Sequence, residues 1–96
     1  MRVEWSETAI ENYKRNIKYL LKEWNYRVMV HFIDETDRCI STIQKFPNIG
    51  HYDVQLEYNK LLVVEQIYLF YEVIDDIIYI HNVWNNKRYP YWLDDE

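Results

Sequence analysis

In 96 residues the chain has one glycine, two prolines and one cysteine. A single glycine leaves no material for a glycine-rich phosphate loop. A single cysteine excludes an internal disulfide and a cysteine-built zinc site. No apolar run approaches the ~18 residues that a membrane-spanning helix needs. The N-terminus, Met1-Arg2-Val3-Glu4-Trp5, has no apolar export core, so the expected location is the cytoplasm. Positive charge is scarce in the second half. Residues 1–48 carry eight Lys or Arg against seven Asp or Glu, whereas residues 49–96 carry three against nine, a net of −6. Phosphate contacts need cations, so this half is a poor general nucleic-acid surface. Any nucleic-acid chemistry would rest on a few local cations.

What is present reads as an ordinary globular chain: 49% apolar, 28% charged and a formal net charge of −5. The length makes one domain, residues 1–96, and is too short for two independent cores. The departure is in aromatics, with ten Tyr, four Trp and three Phe, or 18% of the chain.

Arg2-Val3-Glu4-Trp5 alternates polar and apolar residues, as a short strand does. Ser6 follows as an N-cap with Glu7 in the first turn. Ala9, Ile10, Tyr13, Ile17, Leu20, Leu21 and Trp24 then recur at helical spacing and predict a helix over about residues 7–24. Lys14, Lys18 and Lys22 make a basic stripe on it. Their place near the helix end suits the macrodipole, and Glu11 can pair with Arg15, so the stripe reads as a solvated face. Asn25 ends this helix or caps the next. Val28, Met29, Phe32, Ile33, Thr36, Cys39, Ile40, Ile43 and Phe46 predict a second helix over about 27–46, stopped by Pro47 before the turn at Gly50. The short connection makes an antiparallel helical hairpin. Cys39, on the apolar stripe, reads as a small core residue.

Residues 51–59 read as a loop or a ragged strand. Strands follow at 60–64, 67–73 and 77–84, with Asp75-Asp76 turning the last two into a hairpin. A symmetric turn pairs residues whose numbers sum to 151. One face then carries Ile67, Leu69, Tyr71 and Val73 with Ile78, Ile80, Asn82 and Trp84, and should meet the helices. The other carries Tyr68, Phe70, Glu72 and Ile74 with Ile77, Tyr79, His81 and Val83. That second face is too apolar for open water. It awaits either a partner, docking over Tyr68, Phe70, Tyr79 and His81, or the chain's own tail, Tyr89-Pro90-Tyr91-Trp92-Leu93. His51 and His81 lack the spacing to further ligands that a metal site needs, so no metal and no cofactor is expected.

The expected order is β-α-α-β-β-β: an α+β fold with an N-terminal helical hairpin packed on one face of a small antiparallel sheet. Here the sequence resembles the RelE/ParE toxins of type II toxin–antitoxin systems. The opening Val-x-Trp-Ser-x-x-Ala is Val3, Trp5, Ser6 and Ala9. The end of the second helix, Pro-x-x-Gly, is Pro47 and Gly50. The strand signature is Lys60, Leu62, Val63, Val64, Leu69, Phe70, Tyr71 and Val73, and the last strand is Ile78, Ile80, Val83 and Trp84. The closing pattern is Trp84, Lys87 and Pro90.

The resemblance implies a cytoplasmic growth-inhibiting toxin of the kind tied to plasmid stabilisation, neutralised by a cognate antitoxin, with homo- or hetero-oligomers possible. In the ParE branch the toxin acts by binding its target, DNA gyrase. In the RelE branch it cuts mRNA on the ribosome, where Lys and Arg stabilise phosphate charge and a Tyr, His or Glu handles protons. The positions matching that branch's cations are Lys60 and Lys87. Arg88 stands beside Lys87, and Tyr89 is the proton-handling candidate. Lys87 replaces the usual Arg and lacks its planar fork. Solubilising charges at strand ends explain the same residues without chemistry. A third reading is a degenerate relative that only binds a partner. The net −6 of the second half weighs against a nuclease and implies an antitoxin segment carrying Lys or Arg beside apolar anchors.

Overall fold

The computed structural model describes residues 1–87. The elements are β1 (Arg2–Trp5), α1 (Glu7–Glu23), α2 (Tyr26–Lys45), β2 (His51–Asp53), β3 (Tyr58–Val64), β4 (Ile67–Ile74) and β5 (Ile77–Asn85). Both helices start where a side chain satisfies a free backbone donor. The Ser6 hydroxyl accepts from the Ala9 N–H at 3.0 Å, and the Asn25 side-chain oxygen accepts from the Val28 N–H at 2.9 Å. Asn25 therefore caps α2, and only Trp24 and Asn25 separate the two helices.

The five strands form one sheet in the order β1-β5-β4-β3-β2. Adjacent strands from β2 to β5 are antiparallel, but β1 pairs with β5 in parallel, Val3 opposite Ile78 and Trp5 opposite Ile80. The sheet is mixed, which corrects the antiparallel expectation. Turn signals speak only for strands joined by a turn, and β1 is separated from β5 by most of the chain. The ragged segment before Lys60 resolves into the three-residue edge strand β2, and β3 begins earlier than expected, at Tyr58.

The helical hairpin covers one sheet face. Ala9, Leu20, Phe32 and Ile43 from the helices meet Ile67, Leu69, Tyr71, Ile78, Ile80 and Val83 from the sheet, all buried. The rings of Trp5, Tyr13 and Phe32 form a chain, with centroids 5.2 and 5.5 Å apart. Each fully buried side chain of this size contributes about 1.5–3 kcal/mol. Cys39 is half-buried, its Sγ 3.7 Å from the Leu62 carbonyl. Burial pushes its thiol up, Glu35 adds to the shift and Arg38 opposes it. It stays a thiol at neutral pH and is a packing residue.

The hairpin register departs from the symmetric expectation. From Ile74↔Ile77 to Tyr71↔Ile80 the pairs sum to 151, but Phe70 then faces Asn82 and Leu69 faces Val83. His81 is the extra residue of a β-bulge. Beyond it the alternation is reset, so Val83 (1% exposed) takes the core place assigned to Asn82 and Trp84. The cap residue of α1 and two asparagines on its core-facing side hold this bulge. Ser6 Oγ donates to the His81 carbonyl at 2.9 Å, and Asn16, itself buried, donates to the Val83 carbonyl at 3.2 Å. Asn12 donates to the Asn82 side-chain oxygen at 2.7 Å, which also accepts from the Val83 N–H at 2.8 Å. The bulge's disrupted ladder is thus satisfied by side chains.

Candidate functional site

The sheet face turned away from the helices gathers ionisable and aromatic side chains from four strands. Strand alternation places Tyr58 and Lys60 of β3, Tyr68, Phe70 and Glu72 of β4, and Tyr79 of β5 on it, with His51 and Asp53 at the β2 edge. The bulge carries His81 onto the same face. His81 Nε2 lies 2.8 Å from Glu72 Oε1, and its ring stacks on Tyr58 with centroids 4.1 Å apart and planes 19° apart. Lys60 Nζ donates to Asp53 Oδ2 at 3.4 Å and sits 5.8 Å from the centre of the Tyr68 ring. Asp53 is itself fixed, because its other oxygen accepts from the Leu56 N–H at 3.1 Å. The result is an imidazole–carboxylate pair next to an ammonium–carboxylate pair, floored by tyrosines.

The face therefore brings Lys60, Tyr68, Phe70, Tyr79 and His81 together. Lys87 does not join them. It lies in the turn after β5, its N–H bonded to the Asn85 side chain at 3.0 Å and its Nζ 5.6 Å from the ring centre of Trp24, against the helices. Arg88, Tyr89 and the tail segment Tyr89–Leu93 lie outside the described residues. Phe70 is only 3% exposed, although it stands outside the core cluster beneath the helices. The face assignment of β4 holds, but Phe70 is a covered anchor, not a freely accessible side chain. Tyr68, Tyr79 and His81 are half-buried.

Sequence reading missed Tyr58 and Asp53, because they lie in the segment taken as irregular. A signal was available: His51, Asp53, Tyr58 and Lys60 fall on one face once β2 and β3 pair as a hairpin. Among the described residues, no three His, Cys, Asp or Glu side chains gather to hold a metal ion. Chemically the cluster can exchange protons through His81 and Glu72 and can offer hydrogen bonds to a partner through its tyrosines. Its Lys and Arg are each met by a carboxylate, Lys60 by Asp53 and Arg2 by Glu4 at 3.0 Å.

Comparison with known proteins gives the fold a family. The family model described as the ParE toxin of the type II toxin–antitoxin system parDE matches residues 3–90. Among solved structures, the chromosomal ParDE system of P. aeruginosa aligns with a TM-score of 0.73 at 12% identity, over 88% of this chain and 95% of that one. The YoeB–YefM complex of Staphylococcus aureus aligns at 0.62 with 19% identity, over 86% and 93%, and a heterotetrameric YoeB–YefM complex from the same organism at 0.61 with 20% identity, again over 86% and 93%. Comparison with curated protein sequences gives no match. At these identities the solved structures speak for the fold, a helical hairpin on a mixed five-stranded sheet. The family model spans nearly the whole chain, and the protein belongs to the ParE toxin family of type II toxin–antitoxin systems.

Proposed function

We propose that the chain arrests growth by binding and inhibiting a protein target, with DNA gyrase first among candidates, and that a cognate antitoxin neutralises it. The observation that carries this reading is the charge pairing on the sheet face turned away from the helices. Lys60 faces Asp53, Arg2 faces Glu4 and His81 faces Glu72. Cleaving RNA through 2′-hydroxyl attack needs positive charge free to meet the developing phosphate charge. Here the described Lys and Arg of the face are already matched by carboxylates, and Lys87 stands elsewhere. A face of tyrosines and balanced ion pairs suits protein recognition, which relies on aromatic anchors and hydrogen bonds. The matched family model, of the ParE branch, supports the same reading, and the similar ParDE and heterotetrameric YoeB–YefM structures, which are toxin–antitoxin assemblies, support an antitoxin partner.

A nuclease is the second reading, favoured by one observation: the contact of His81 with Glu72 and Tyr58, a group able to move protons. The experiment expresses the chain without antitoxin and follows growth, DNA supercoiling and mRNA integrity. Purified protein is then assayed against gyrase and against translating ribosomes. Growth arrest with loss of supercoiling and intact mRNA is expected. Ribosome-dependent mRNA cleavage, lost in a Lys60→Ala/His81→Ala variant, establishes the nuclease instead. An inert wild-type chain that still binds a partner establishes the degenerate relative.

A further inference from the structure

Phe70 is buried on the side of the sheet that the helices do not cover. It stands on the face turned away from them, yet is only 3% exposed. Two other apolar side chains of that face, Leu62 and Ile74, are 51% and 46% exposed. The cover is therefore local to Phe70 and is not a property of the whole face. The described neighbours wall the ring at its sides. Lys60 lies opposite on β3 and reaches Asp53 and Tyr68. The Tyr58–His81 stack closes the Glu72 side. Asn82, opposite on β5, gives its side chain to Asn12 of α1 instead. A single layer of side chains on such a face keeps part of each ring in water, so the outer side of Phe70 needs a second layer.

The burial belongs to the single chain, so the cover does too. Among the described residues, both helices pack on the other face. Nine residues follow Lys87, enough for about 30 Å of extended chain. The chain leaves the sheet where Asn85 pairs with Ile67, which is three residues, or about 10 Å, along β4 from Phe70. The segment that follows also has the right chemistry. Tyr89-Pro90-Tyr91-Trp92-Leu93 is a run of apolar and aromatic residues, and Asp94-Asp95-Glu96 come after it. The family match ends at residue 90, so Tyr91, Trp92 and Leu93 lie beyond it.

We propose that residues 89–93 fold back across the sheet and seat an aromatic side chain over Phe70, with Tyr68 and Lys60 at the edge of the seat. In the free chain the occupant of this face is thus its own C-terminal segment. Ring burial is opposed by the cost of ordering five residues, so the segment is held with a modest equilibrium constant that a tighter ligand overcomes. The face is a self-masked surface. A target docking over Tyr68 and Phe70 must displace the segment first, a consequence that rests on the target-binding reading above.

The test uses the full chain with Cys39→Ala, so that iodoacetamide has one introduced thiol to alkylate. Tyr68→Cys puts that thiol at the seat, and Ile74→Cys puts it on the same face beyond the seat. Each is compared with a chain that also carries Tyr91→Ser/Trp92→Ser/Leu93→Ser, with melting curves as the folding control. A segment seated about ten to one slows alkylation about tenfold. The thiol at position 68 is expected to react about tenfold faster once the segment is altered, and the thiol at position 74 at an unchanged rate. Equal rates at position 68 overturn the proposal, and so does an equal acceleration at both positions, which reports a loosened fold. Protection that fades on dilution assigns the cover to a second copy and overturns it as well. No target enters the measurement. If the chain neither arrests growth nor binds gyrase yet shows this protection, the target-binding reading falls and the seat stands.

Discussion

The Tyr71 hydroxyl donates to the Pro47 carbonyl at 2.8 Å and accepts from the Gly50 N–H at 2.9 Å, tying the loop after α2 to the central strand of the sheet. Gly50 is required here by space. A Cβ at this position would lie 2.7 Å from the Tyr71 hydroxyl and 3.0 Å from the Lys60 carbonyl. Gly50→Ala should lower stability by about 1–3 kcal/mol, since Tyr71 is fully buried and has nowhere to retreat. Tyr71→Phe keeps the ring but strands a carbonyl and an N–H, at about 1–3 kcal/mol. Urea unfolding of the two variants checks this, and wild-type midpoints in both would refute the clamp.

The same phenol makes stability fall at alkaline pH. Burial pushes Tyr71 up from its ordinary 10.0, with the Gly50 N–H bond opposing in part. Tyr13 is raised too, by burial first and then by Asp37 and Asp34. In the unfolded chain both ionise near 10, so above that pH the folded state holds protons that the unfolded state has lost. The contribution is complete below the unfolded value and is lost as pH rises through the folded values. Urea midpoints measured from about pH 9 to 11 should fall, and fall less steeply in Tyr71→Phe. A parallel decline in the two proteins would remove Tyr71 from the account.

The β4–β5 turn carries aspartates where glycine would fit with less strain. Asp75 and Asp76 both have positive φ, 52° and 66°, the left-handed conformation of a two-residue hairpin turn. Residues with a Cβ occupy it at a cost of roughly 1 kcal/mol, and two adjacent carboxylates repel. Asp76→Gly should therefore raise the melting temperature by about 4–8 °C if 1 kcal/mol is recovered. Thermal melts decide the matter, and an unchanged melt would mean that the strain is taken up elsewhere.

Which parts of this structure were legible beforehand follows from the range of each signal. The caps Ser6 and Asn25, the apolar stripes of both helices and the Asp75-Asp76 turn are local and lie where expected. The parallel pairing of β1 with β5 is not local, and no pattern in residues 2–5 reports it. The bulge at His81 was hidden because a strict alternation continues through it on paper. Its trace was in α1, where Asn12 and Asn16 share a helix side with the apolar Ala9, Tyr13 and Leu20, and polar residues there call for a polar partner. The face with Tyr68, Glu72 and His81 was found through alternation. Its Tyr58 and Asp53 needed the β2–β3 pairing.

Phe70 and Tyr79 separate folding from recognition on the sheet face turned away from the helices. If Phe70 were an accessible docking residue, a charge substitution there would weaken partner binding in a chain that stays folded. With 3% exposure, Phe70→Asp instead places an unpaired carboxylate where Lys60 and Asn82 lie opposite on the flanking strands. Lys60 is already engaged with Asp53, so the new charge competes with an existing pair. Loss of the ring alone costs about 3–5 kcal/mol, a large share of a small domain's stability. Phe70→Asp should thus melt far below wild type or fail to fold. Tyr79→Asp should retain the fold, because Tyr79 is only half-buried and its replacement can turn to water, although Glu4 and Glu72 opposite it repel the new charge and lower stability somewhat. Circular dichroism melts of both variants distinguish the two sites. If Phe70→Asp melts with wild type, its ring contributes nothing to the fold and the face is open after all. If only Tyr79→Asp remains folded, it is the variant in which a loss of partner binding can be read as recognition.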